Sequence, residues 1–361
     1  MIIFISFLSL PAMAQNVPYR VTEIATGLEH PWGVAYLPGG DFLVTERDGR
    51  LLHVTKNGDI SPIANVPEVF NRGQGGLLDV ILAMDFNRSR TIYFSYAAGN
   101  ETNSVSNTEV AKATLNLRNK SLDNVEVIFK ADPKVSRGNN HYGSRLLITP
   151  DNYLFITLGE RFNYASQAQD PQNHIGAIIR LFPDGTIPQE NPFANSDEGD
   201  GAVFSYGHRN VQGIAYNPYT REVWAHEHGP RGGDEVNILV AGENYGWPEV
   251  SYGRKYTGGK ISDGHEGFKK PLLHWTPSIA PSGMDFYRGS QFPKWRGDLF
   301  VGALAERHLR RVNLENGRVV SQEKLLEDRE ERVRDVMVGP DGFIYVLTDE
   351  LDGKLLRIEP Q

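Results

Sequence analysis

Gly40-Asp41-Phe42-Leu43-Val44-Thr45-Glu46 and, near the far end of the chain, Pro340-Asp341-Gly342-Phe343-Ile344-Tyr345-Val346-Leu347-Thr348 are two copies of one unit. A Gly/Asp turn feeds a short apolar stretch of β-branched and aromatic residues, which closes on Thr, Ser or a charged side chain. The unit returns at Arg90–Tyr96, Pro150–Thr157, Arg221–Glu227 and Gly297–Gly302. Several copies run on into a second turn and strand, as at Asp48-Gly49-Arg50-Leu51-Leu52-His53-Val54 and Asp352-Gly353-Lys354-Leu355-Leu356-Arg357-Ile358, which is a hairpin signature. Six units over about 340 residues average roughly 57 each, somewhat longer than the ~40–50 of four-stranded propeller repeats. The repeat predicts an all-β fold, a six-bladed β-propeller with long inter-blade loops on the top face. The excess length falls in the Gly-, Pro- and Asn-rich stretches 159–210 and 228–297. No amphipathic helical pattern exceeds two turns, which argues against a βαβ protein, and no linker separates two β-sandwiches.

Composition narrows the chemistry. The chain has 361 residues, 37 Lys+Arg against 45 Asp+Glu for a net charge of −8, and no Cys. An acidic balance argues against a general nucleic-acid binder, which would show a basic face. The absence of Cys removes disulfides, thiolate nucleophiles, iron–sulfur clusters and thiolate zinc sites together. His, carboxylates, Arg/Lys, main-chain carbonyls and a bound cofactor are left. The first fourteen residues carry no charged side chain, run apolar from Ile2 to Leu10 and end in Ala12-Met13-Ala14. They predict a signal peptide over 1–14, cleaved before Gln15, leaving 15–361 as a single propeller domain exported to a bacterial periplasm. The apolar run is about half the ~20 residues that span a bilayer, so no membrane span is expected.

Five polar clusters stand out from the repeat. Arg72-Gly73-Gln74-Gly75-Gly76-Leu77-Leu78 fails the dinucleotide fingerprint, with Leu78 where its last Gly belongs, and reads as a glycine-rich turn. Gly138-Asn139-Asn140-His141-Tyr142-Gly143-Ser144-Arg145-Leu146 puts a His just ahead of an inner strand, where a neutral imidazole serves either as a general base or as a structural hydrogen-bonding group. Tyr206-Gly207-His208-Arg209-Asn210-Val211-Gln212-Gly213 offers fixed charge and amide donors to an oxygen-rich ligand, or is a solvated loop. In His226-Glu227-His228-Gly229-Pro230-Arg231-Gly232-Gly233-Asp234-Glu235 the alternating His admit a two-His metal site. The turns and carboxylates that follow suit Ca²⁺ better than zinc. Arg332-Val333-Arg334-Asp335 aims two Arg at one anion, or forms a charged exposed strand.

Taken in order, these segments resemble a known family, the soluble pyrroloquinoline-quinone (PQQ)-dependent glucose/sorbosone dehydrogenases, and especially their periplasmic aldose sugar dehydrogenase branch. The resemblance covers nearly the whole mature chain. It rests on Leu28-Glu29-His30-Pro31-Trp32-Gly33, Gly73–Leu78, His141–Leu146, Ala168-Gln169-Asp170-Pro171-Gln172-Asn173-His174, Gly207–Asn210, Glu227–Glu235 and Asn244-Tyr245-Gly246-Trp247-Pro248. The family fold is a six-bladed propeller, in agreement with the repeat.

The resemblance implies two cofactors, PQQ and Ca²⁺, an aldose as substrate, and oxidation at C1 to a lactone with hydride passing to the quinone. Carried over by position, His141 is the general base and Gln74 a substrate contact beside it. Arg209 and Asn210 bond the quinone's reactive carbonyl oxygen, and Arg332 and Arg334 hold the cofactor's carboxylates. The carbonyls of Gly229 and Pro230 hold the catalytic Ca²⁺, while Glu235 and Tyr245 belong to a second, structural Ca²⁺ site. Without a haem-binding Cys, electrons leave to an external acceptor. Two positions depart from the glucose-specialised branch. Asn140 stands where that branch has Asp, and Ala305 where it has Lys, with Arg307 two residues on as a replacement for that charge. Two other readings of the same residues are a Ca²⁺-dependent propeller lactonase and a non-catalytic sugar-binding propeller.

Overall fold

The computed structural model describes residues 17–100, 102 and 105–361. The signal segment expected over 1–14 lies outside the described residues. Six antiparallel sheets follow one another along the chain, and each is a propeller blade. Blade 1 is Pro31–Tyr36, Phe42–Glu46, Leu51–Val54 and Ile60–Ile63. Blade 2 runs Leu77–Leu82, Thr91–Asn100 and Val105–Asn116, with Ser121–Lys130 and Val135–Ser136 both pairing the last of these. Blade 3 is Leu146–Ile148, Leu154–Thr157, Ile178–Leu181 and Val203–Ser205. Blade 4 is Val211–Asn217, Glu222–Glu227, Asp234–Ile238 and Leu273–Trp275. Blade 5 is Pro281–Phe286, Leu299–Ala303, His308–Glu315 and Arg318–Leu325. Blade 6 takes three strands from the C-terminus, Val333–Val338, Ile344–Thr348 and Gly353–Pro360. Its outer strand is Tyr19–Leu28, so the two ends of the chain close the ring.

The repeated unit of the sequence is the second strand of each blade. Phe42–Glu46, Leu299–Ala303 and Ile344–Thr348 are buried along their whole length, because a neighbouring blade covers each face. Strands covered on both faces become continuous apolar runs. Outer strands such as Arg318–Leu325 are mostly exposed and leave a weaker signal. The core is correspondingly divided into inter-blade layers. One joins Leu43 of blade 1 to Phe94 of blade 2, and another joins Phe300 of blade 5 to Val346 of blade 6.

Antiparallel pairing places the start of each first strand, the end of the second and the start of the third on one face of the disc. Five of the six blades carry a register shift there between the first two strands. The shifts fall at Pro31/Gly33, Leu77/Val80, Val211/Gly213, Pro281/Met284 and Val333/Asp335. A bulge of this kind re-aims a side chain, and Trp32, Leu78, Gln212 and Arg334, which sit within these shifts, all line the axial cavity on that face.

The long loops are distributed differently from the expectation. Stretches 182–202 and 239–272 join third and fourth strands within blades 3 and 4, rather than joining one blade to the next. The second of these climbs back along its blade. Tyr245 and Trp247 donate their main-chain N–H to the carbonyls of Tyr206 and Gly207, and the Tyr256 hydroxyl reaches Arg209 at 3.1 Å.

Candidate active site

A cavity of about 300 Å³ opens on the bulged face of the ring, lined by residues of the blades and of the loops that connect them. Of the residues singled out from the sequence, Gln74, Asn210, Arg332 and Arg334 line it directly. His141 sits at its rim, in the connection from blade 2 to blade 3, immediately before the lining residues Tyr142 and Gly143.

His141 is held from several sides. Its Nδ1 lies 2.7 Å from Glu160 Oε1, and its main-chain N–H donates to Gln74 Oε1 at 2.8 Å. The Phe162 ring meets the imidazole edge-on at 5.2 Å. The backbone at His141 has φ of 54°, a left-handed conformation uncommon for a non-glycine residue. Burial pushes the imidazole pKa below its ordinary value. Glu160 opposes that shift and Arg209 adds to it. The ring is therefore neutral near pH 7. The carboxylate accepts the Nδ1 proton, which leaves Nε2 as the basic nitrogen.

Arg332 and Arg334 converge on Asp349 Oδ2, at 3.2 and 2.5 Å. Burial alone would raise the Asp349 carboxyl, but the two guanidinium groups outweigh it and hold it far below the carboxylate range. Arg145 packs behind the cavity-lining residues Trp32, Gln212 and Arg334. It donates to the carbonyls of Gln212 and Arg334, both at 3.0 Å, stacks 4.0 Å over Trp32, and lies 3.0 Å from Asp335 and 3.4 Å from Asp79. Among the described residues the buried guanidinium nitrogens Arg47 Nε, Arg209 Nε and Arg334 Nε find no hydrogen-bond partner. Unpaired donors of this kind around a cavity fit a polyanionic ligand such as PQQ.

Asn210 Oδ1 accepts the Gly143 N–H at 3.2 Å, tying blade 4 to the His141 loop. The Arg209 guanidinium lies in the wall behind the cavity. It donates to the carbonyls of His228 and Gly229 at 3.0 and 2.8 Å and faces the Trp247 ring at 5.2 Å. Gly229 and Pro230 belong to the turn between the second and third strands of blade 4, and Gly253 lies against the Pro230 ring with no room for a side chain.

The hard-oxygen reading of Asp234 does not survive. Its Oδ1 accepts from Gly229 N within the blade-4 turn, and its Oδ2 accepts from Ser278 Oγ, Ile279 N and Ala280 N, which joins blade 4 to blade 5. His226 and His228 do not form a metal pair. His228 Nε2 bonds the Pro281 carbonyl at 2.6 Å, and burial keeps its pKa near 3. Among the described residues no three His, Asp or Glu side chains gather as a metal cage.

Glu235 and Tyr245 border a small void together with Glu227, Arg209 and Gly229. Glu235 pairs directly with Glu227 across the sheet. Burial first, and the Glu227 charge second, push its carboxyl well above the usual range. Asn237 bridges the two at 3.3 and 3.5 Å, leaving its own buried Oδ1 without a partner. The Tyr245 hydroxyl is committed to Ile238 O and Val240 N, so its main chain is what remains for a ligand. Glu227 is committed to His208 Nδ1 and Arg209 N, so the Glu235 carboxylate and the orphaned Asn237 oxygen are the donors that suit a hard divalent cation.

A family model described as Glucose / Sorbosone dehydrogenase matches residues 28–357. The chain belongs to this family. It is 40% identical to the aldose sugar dehydrogenase YliI of Escherichia coli (strain K12), across 98% of this chain and 96% of that protein. The crystal structure of the soluble aldose sugar dehydrogenase from Escherichia coli in the apo-form superposes with a TM-score of 0.91 at 41% identity, covering 95% of this chain and 100% of the other. The PQQ-bound form of aldose sugar dehydrogenase from Streptomyces coelicolor gives 0.78 at 28% identity, covering 96% and 100%.

Within this glucose/sorbosone dehydrogenase framework, the sequence motifs missed Glu160 and Asp349. Each lies just beyond the second strand of its blade, Asp349 directly after Thr348 and Glu160 three residues after Thr157, and a carboxylate following that strand was the available signal. The replacement suggested for the missing Lys is not at the cavity. Arg307 is exposed and donates to the Glu330 carbonyl at 3.0 Å, while Leu304 lines the wall beside Ala305.

Proposed function

We propose that this chain is an exported, periplasmic quinoprotein that oxidises aldoses at C1 to lactones, using PQQ and Ca²⁺ and an external electron acceptor. The observation that carries this reading is the buried His141–Glu160 pair at the rim of a cavity whose other wall presents Arg332 and Arg334. When bound, the quinone supplies the hydride-accepting carbonyl and Ca²⁺ a Lewis acid beside it.

The chain's own residues do the rest. Arg332 and Arg334, fixed by Asp349, hold the cofactor's carboxylates. Arg209 and Asn210 are assigned to the quinone's reactive oxygen, and the carbonyls of Gly229 and Pro230 to its Ca²⁺. Glu235 and the Tyr245 main chain hold a second, structural Ca²⁺. His141 Nε2 takes the proton of the sugar's anomeric hydroxyl, as a neutral base with a pKa shifted below its ordinary value can do at pH 7. Glu160 keeps the tautomer and stabilises the imidazolium that forms. Gln74, whose carbonyl oxygen is spent on the His141 loop, offers its amide N–H groups to the sugar.

The test is reconstitution of the purified chain with PQQ and Ca²⁺, followed by dye reduction with a panel of aldoses. Sugar-dependent reduction that requires both additions is expected. Absence of both quinone binding and sugar oxidation would sink the reading.

A further inference from the structure

The loop between the second and third strands of blade 1 carries two arginines with opposite fates. Arg50 is exposed and surrounded by carboxylates, with Glu29 and Glu46 at 2.8 Å and Asp48 at 2.9 Å. Among the described residues Arg47 has no carboxylate partner; it lines the axial cavity, and its buried Nε makes no hydrogen bond to them. The side chain is half-buried, so its charge is kept partly in water while the guanidinium faces a cavity that an anionic ligand can enter.

The backbone that presents Arg47 is pinned. Its N–H donates to the His30 carbonyl at 3.3 Å and its carbonyl accepts from Leu77 N at 3.2 Å. Gly76 makes this approach feasible. It has φ of +135°, and a Cβ there would stand 2.0 Å from the Arg47 oxygen. In ring order Arg47, on blade 1, falls between the Arg332–Arg334–Asp349 cluster of blade 6 and Gln74 of blade 2.

The charges around the cavity show what this cation is for. Arg332 and Arg334 share the single negative charge of Asp349. Blade 5 contributes Leu304 and Ala280 and no cation to the lining. A cofactor bearing three carboxylates therefore meets only one net positive charge from blade 6. We propose that Arg47 is a third cofactor-holding guanidinium of this cavity, binding a carboxylate of the quinone and compensating for the absence of a cation at Ala305. This rests on the quinoprotein reading above.

Equilibrium binding of PQQ to the purified full chain tests it, followed by quenching of tryptophan fluorescence, since Trp32 lines the same cavity. Arg47→Gln should weaken binding about 10- to 100-fold, the range for a lost charge-assisted hydrogen bond. Arg47→Lys should restore part of the loss, while Arg50→Gln leaves affinity unchanged. The thermal midpoint of the unliganded Arg47→Gln variant should match that of the wild type. Unchanged quinone affinity in Arg47→Gln would overturn the proposal, as would an equal loss in Arg50→Gln or no recovery with Lys. Normal quinone affinity combined with a raised KM for a uronic acid would reassign Arg47 to substrate and overturn it too. A wild-type chain that binds no quinone at all would instead bring down the parent reading, and this proposal with it.

Discussion

Glu160 and His141 face each other across 2.7 Å, with 1% and 7% of their side chains exposed. The contact is local in space but spans two loops of blade 3, and it sets both the tautomer and the basicity of the imidazole. His141→Ala should abolish turnover while leaving quinone binding largely intact, checked by steady-state kinetics beside a binding titration. Retained turnover would remove His141 from its role.

The same pair makes a pH prediction. A base works when deprotonated, and the pKa of His141 is lowered, chiefly by burial. The acid-side fall of kcat/KM should therefore lie below the ordinary imidazole value of about 6.5. Glu160 raises that pKa, so Glu160→Gln should move the fall to still lower pH. It should also reduce kcat about 10- to 100-fold, the usual effect of removing a partner that orients a reactive His. An unmoved pH profile would mean that Glu160 only fills space.

Arg332 and Arg334 should govern cofactor retention. Replacing either with Gln should weaken PQQ affinity by roughly tenfold or more, with kcat at saturating cofactor little changed. Asp349→Asn should act on stability instead, because it strands a buried Arg334. A loss of about 3–5 kcal/mol in urea unfolding is expected.

Glu235 and Glu227 form a buried like-charge pair. Calcium should raise the thermal midpoint of the wild type, and chelation should lower it, in the manner of any ligand that binds only the folded state. In Glu235→Gln that calcium dependence should shrink or vanish. Equal calcium responses in both proteins would place the cation elsewhere.

Tyr19–Leu28 closes the ring against Gly353–Pro360. Deleting residues 17–28 uncovers the edge of the C-terminal strand and opens a cycle in which every blade packs against two neighbours. A drop in Tm of about 10 °C or more is expected, with self-association visible by light scattering through the exposed edge.

The blades were readable in the chain because the second strands are buried on both faces for most of their length, so the six apolar runs share one pattern of turn and closing residue despite uneven spacing. Outer strands such as Ser121–Lys130 carry little apolar patterning of their own, so strand four of a blade was the hardest element to see. Asp234 was misjudged for a related reason. Its chemistry is that of a metal ligand, but Ser278 and the two main-chain N–H groups that consume it come from a segment more than forty residues away.

Local alternation of apolar residues and turn-forming Gly and Asp was enough to specify strands, hairpins and the six-fold repeat, since those depend on neighbours a few residues apart. The motifs further marked which loops carry His141, Arg209, Arg332 and Arg334. Which of those groups meet was settled by closing the ring. Closure brings blade 1 beside blade 6 and turns the bulged ends of five inner strands toward one axis. It sets Arg47 of blade 1 beside the Arg332–Arg334–Asp349 cluster of blade 6, a juxtaposition that no spacing within a single repeat contains.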